Sequence, residues 1–126
     1  MATEPFTSSG TTDNSQNVTT RISVELDPAV PTGNLLVVEH ISGFFVVGES
    51  DVPDVIVASV VGGGEVYLPV QFASRPLNYG GQLGVARSHQ FGSPARLYVG
   101  AGAMINVTAD ANTAGILHAT AVGYLQ

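Results

Sequence analysis

The chain has 126 residues, no cysteine and charged side chains at only 11% of positions, with a formal net charge of −6. Disulfides, thiolate chemistry and cysteine-bound zinc are thereby excluded, while an apolar content of 44% suffices to close one core without a staple. The cations are Arg21, Arg75, Arg87 and Arg96, with no lysine, so a nucleic-acid backbone or an anionic membrane would be repelled rather than steered in.

Ordinary soluble domains carry about 25% charged residues. A surface this poor in charge must be covered by neutral polar and apolar groups, and depletion of charge is also what the buried centre of a subunit interface shows. Self-association, as a homo-oligomer or filament, is therefore the expected partnership. The first residues, MATEPFTSSG, carry neither a basic nor an apolar leader segment, and no apolar run approaches the roughly 20 residues that span a bilayer, so neither targeting nor membrane insertion is expected.

Residues 1–18 are polar, rich in Thr, Ser and Asn and without apolar periodicity, which predicts a flexible arm, or one laid on a neighbouring subunit, ahead of a β-domain at 19–126. Residues 19–26 alternate, Ile22, Val24 and Leu26 against Arg21, Ser23 and Glu25, as a half-buried strand does. Pro28, Pro31 and Gly33 then turn the chain into 35–47, LLVVEHISGFFVV, the longest apolar run. Both sides of that run are mostly apolar, so it reads as a central strand covered on both faces, with a bulge at Ser42-Gly43.

An acidic loop at 48–54 leads to a β-branched run at 55–61 and, through Gly62-Gly63-Gly64, to a strand at 66–71, which predicts a hairpin. Residues 72–82, FASRPLNYGGQ, are the longest stretch without a period and the expected recognition loop. Strands follow at 83–89 and 95–99, separated by a turn at Gly92 and Pro94, then at 104–109 and 116–125, separated by a polar turn, DANTAG, at 110–115. About eight short strands with Gly/Pro turns and no credible helix predict an all-β fold, an antiparallel β-sandwich of jelly-roll type.

Candidate chemistry is sparse. Glu49, Asp51 and Asp54 share one loop and offer hard oxygen ligands to Ca²⁺, without the regular spacing of a calcium loop. In the long loop Arg75, Asn78, Tyr79 and Gln82 could stack on and hydrogen-bond a glycan. His40, His89 and His118 each fall on a predicted strand, too far apart in sequence for a His-x-His metal pair, and satisfied or interface histidines are the expectation. No Gly-x-Ser-x-Gly elbow is present, while Asn17 and Asn106 each begin an Asn-Val-Thr glycosylation pattern. No cofactor is expected.

The closing pattern, RLYVG from Arg96, MINVTA, a Gly-bearing turn and a last strand ending in GYL at 123–125, resembles the final strands of C1q and tumour-necrosis-factor type jelly rolls. That resemblance implies a trimer packed around its last strands and a binding role without catalysis. The stretch PTGNLLVVEHISG at 31–43 also resembles small bacterial β-sandwich proteins of unassigned function. The expected function is a non-enzymatic assembly subunit, of virion, appendage or surface-layer type and in an extracellular or virion-associated setting. The alternative is a glycan- or receptor-binding jelly-roll module.

Overall fold

A computed structural model describes residues 4–126, among which the chain forms nine strands and no helix, and so none long and apolar enough to cross a membrane. In chain order these are β1 (Glu4–Asp13), β2 (Thr19–Glu25), β3 (Leu36–Gly48), β4 (Val55–Val60), β5 (Gly64–Tyr67), β6 (Val70–Ala73), β7 (Leu77–Asn78), β8 (Val85–Val99) and β9 (Ile105–Leu125). Every pairing is antiparallel, and all nine strands belong to one continuous sheet curled into a half-barrel, rather than to two separately bonded sheets.

The most apolar run becomes β3, bonded to β8 on one side and β9 on the other, the central position its composition requires. Its register slips between Val38 and His40 against both neighbours. The slip lies at Glu39, which is exposed, and not at Gly43. Gly43 is glycine for another reason: a Cβ there would collide with the His118 carbonyl and meet the Phe91 ring at 2.8 Å. The slip switches the parity of the strand, so that Val38 and then Ile41, Phe45 and Val47 all reach the same core.

Two expected turns are absent because their residues are used elsewhere. Pro94 lies within β8, opposite His40 at the β3 slip, and β6 bonds β8 only up to Phe91, so a residue without an N–H is tolerated there. The segment 110–115 stays inside a β9 of 21 residues. Its polar side chains are held by tertiary partners: Asp110 pairs with Arg21 at 2.7 Å, while Thr113 donates from N (2.6 Å) and Oγ1 (2.8 Å) to Asp51 Oδ2.

β9 organises the sheet. Its first part, Ile105 to Asp110, lies between β2 and β4, and its last part, from Ile116, lies between β1 and β3. The Ser9–Asp27 bridge and the bond from Thr12 Oγ1 to the Ser23 carbonyl (2.8 Å) bring β1 against β2, so the sheet turns back on itself. Ile22, Val24, Ile56, Val107, Leu117 and Leu97, from four strands, share one core. Leu68, which donates its N–H to the Ile56 carbonyl, joins that core from the link between β5 and β6.

The expected N-terminal arm is corrected by these pairings. Residues 4–13 form ten consecutive pairs with β9 of the same chain, and Phe6 packs on the core while Ser8 is buried. β-branched threonines and an edge of β9 in need of bonding outweigh the low hydrophobicity that suggested disorder. Residues 1–3 of that arm lie outside the described residues.

Candidate functional site

The acidic loop does not assemble the expected oxygen cage. Asp51 is committed to Thr113 and, through Oδ1, to the N–H of Val52 (2.8 Å). Asp54 and Glu49 are exposed, and no group of three or more His, Asp or Glu side chains gathers as a metal site among the described residues. Asp51 and Asp54 instead border an open cleft of about 670 Å³ together with Thr20, Arg21 and Asp110. There the Asp110 carboxylate, by hydrogen bond and charge, holds the Arg21 guanidinium pKa above its usual value.

The long-loop candidates are drawn into the architecture. Gln82 Oε1 accepts from the Val18 N–H at 2.8 Å, and Asn78 Oδ1 accepts from the Gly80 N–H at 2.9 Å. Tyr79 packs on a small cluster of Val46, Leu83 and Ala86. Arg75 is exposed, and none of the four lines the cleft at Arg21 and Asp110 or the one over Ser42 and Gly92.

Residues 14–18 and 79–83 cover one end of the outer face of the sheet: Leu83 donates its N–H to the Ser15 carbonyl, and Val18 joins the Val46–Leu83–Ala86 cluster. Beyond that cover the face is open, and register places its side chains in rows across the strands. Phe72, Gln90, Phe44, His118 and Thr11 are successive cross-strand neighbours on β6, β8, β3, β9 and β1. The next row is Gly92, Ser42, Thr120 and Ser9, and the one beyond it Pro94, His40, Val122 and Thr7. A row of small residues between two rows of larger ones is a groove that crosses the strands, and a cleft of about 320 Å³ lies over it.

The groove wall is held in place. The rings of Phe44 and His118 stack with centroids 5.1 Å apart and planes inclined by 22°. His118 Nδ1 is 2.7 Å from Thr11 Oγ1 and its Nε2 is 3.3 Å from Thr120 Oγ1. Gln71 Nε2 donates to the Gly92 carbonyl at 2.9 Å, closing the β6 side. Sequence reasoning took Gly92 for a turn and gave Gln90 and Thr120 no role; the signal available was His40 and Ser42, even positions of the most apolar strand that break its hydrophobicity on one side.

His89 points to the opposite face of β8, 7% exposed, with Nε2 buried and unpartnered. Burial first, then the Arg87 charge, lowers its pKa from the ordinary 6.5, with Asp51 acting in the other direction.

The strand order ends at β5 on one side and at β6 on the other, and the β6 edge is apolar. β6 and β7 lie end to end on β8, with no strand beyond them among the described residues. Val70, Phe72, Leu77 and the neighbouring Val85 are 40%, 63%, 54% and 47% exposed. No family model, no curated protein and no solved structure matches this chain.

Proposed function

We propose that the protein is a non-enzymatic structural subunit that works by associating with copies of itself, in a virion, an appendage or a surface layer outside the cell. The observation that carries this reading is the β6–β7 edge, where the large apolar side chains of Val70, Phe72 and Leu77 stand exposed on strands bonded on one side only, with Val85 exposed on the strand behind them. Such an edge is a template for a second chain unless charge or proline blunts it. Here Pro69 and Pro76 flank β6 and Arg75 is the one charge between Val70 and Asn78, so pairing is limited to a few residues and side-chain burial supplies the rest of the contact. The scarcity of charge over the whole chain supports the same reading, because neutral surface costs less to desolvate than ionised surface.

The reading is tested by placing charge on the edge. Val70→Lys combined with Leu77→Lys, both at exposed positions, should leave the fold intact by circular dichroism and reduce the mass in solution to that of one chain. A double variant that assembles as the wild type does would remove this edge from the account.

A further inference from the structure

The outer-face groove carries an inference beyond assembly, and Gly92 is where it starts. Of the seven glycines within strands, six have a local reason to lack a side chain. Gly64 has φ of +91°, and at Gly10, Gly43, Gly48, Gly115 and Gly123 an added Cβ would come closer than 3.0 Å to another atom. Gly92 has neither constraint: its φ is not positive, and a Cβ would sit at ordinary contact distances of 3.4 Å from Ser42 Cβ, 3.5 Å from His40 Cε1 and 3.8 Å from Gln71 Oε1. Glycine inside a strand is destabilising relative to alanine and commonly marks the close approach of a ligand or another backbone. At Gly92 no backbone makes that approach among the described residues, and the nearest groups are the side chains of Ser42, His40 and Gln71.

We propose that the groove over Gly92, Ser42 and Thr120 binds an uncharged carbohydrate chain. The lining contains hydroxyls, amides and imidazoles but no Asp, Glu, Lys or Arg. Neutral donors and acceptors beside ring faces are the complement of a sugar, which presents hydroxyls at its edges and C–H groups on its face. Phe44, stacked on His118, and Phe72, 63% exposed, supply the rings; Gln90 stands between them in the same row. Four strands carry the floor, and at about 4.8 Å between strands the floor runs roughly 14 Å, room for a short oligosaccharide rather than a single sugar. A net charge of −6 disfavours acidic glycans at the same place. A neighbour on the β6 edge would share Phe72 with the groove and leave the floor at Gly92, Ser42 and Thr120 uncovered, so binding is tested at floor and wall residues that lie off that edge.

The experiment is a glycan array that displays neutral and acidic oligosaccharides, followed by titration calorimetry of the best neutral ligand against wild type, Gly92→Ala, Gly92→Leu and Gln90→Ala. Neutral glycans should be retained over acidic ones, Gly92→Leu should weaken binding at least tenfold, and Gly92→Ala should retain the wild-type melting temperature or exceed it. Gln90→Ala, at a partly exposed position, keeps the test open if the leucine variant misfolds, and should also weaken binding severalfold. Array signals at background, signals confined to acidic glycans, or affinities unchanged in the Gly92 and Gln90 variants would each overturn the assignment. Light scattering on the same samples separates this outcome from assembly, since the expected mass is that of wild type in every variant.

Discussion

Gly43 and Gly92 lie one register step apart on bonded strands and meet opposite surroundings. At Gly43 the His118 carbonyl and the Phe91 ring occupy the space a methyl group would need, so Gly43→Ala must move backbone in the middle of the sheet, at a cost of about 1–3 kcal/mol. Gly92→Ala has room and removes a flexible residue from the unfolded chain, which should stabilise by about 0.5–1 kcal/mol. Urea denaturation of both variants checks the pair; equal shifts of the same sign would contradict the packing described. Residue spacing alone marks both as breaks in a strand pattern, and only tertiary contacts tell them apart. For the same reason the reading of Asn78 and Gln82 as ligand contacts did not foresee their bonds to Gly80 and Val18, the second of which spans 64 positions.

His89 gives the residue scale a pH dependence. Above pH 7 its imidazole is neutral in both states and adds nothing to the slope of stability with pH. As pH falls through 6.5 the unfolded chain gains a proton there that the folded chain, whose pKa is lower, does not, so stability declines until the folded-state pKa is reached. Melting temperatures of wild type and His89→Gln between pH 8 and pH 5 should therefore diverge, the wild type losing more on acidification. Parallel curves would show that this site makes no such contribution.

At the scale of elements, the strands set by alternation or by a long apolar run, β2, β3 and β4, were legible because their patterns are local. The continuity of β8 and β9 was not. DANTAG has turn composition, yet Arg21 and Asp51, 89 and 62 positions away from their partners Asp110 and Thr113, spend its polar groups and keep the strand going. β1 was missed for a related reason: its ten residues are held by the ladder to β9 more than by a buried apolar face, and composition does not report a ladder. The structure therefore reverses the outcome expected of a peripheral arm. A variant lacking residues 1–13 exposes the ladder groups of β9 from Ile116 to Leu125 and uncovers the core at Phe6, so it should lose cooperative thermal unfolding or aggregate. A truncated protein that melts cooperatively near the wild-type temperature would contradict the integral role of β1.

For the whole molecule, one continuous sheet that turns back through β9 leaves, besides the charged cleft at Arg21 and Asp110, a groove of neutral polar and aromatic side chains and an apolar edge at β6 and β7. The all-β antiparallel class was legible from strand spacing and turn residues, whereas the groove was not, because its rows are set by the register of five strands and a one-residue slip would turn each row to the other face. In the proposed assembly another copy of the chain completes the β6–β7 edge. Its most direct test is the molar mass of the full-length protein by light scattering, at high micromolar concentration and at ionic strengths of about 0.1 M and 1 M, which span Debye lengths of roughly 10 Å to 3 Å. A mass several times 13.0 kDa that does not fall as salt is raised is the predicted result, since apolar and neutral contacts are not screened. A mass of one chain under both conditions would contradict it.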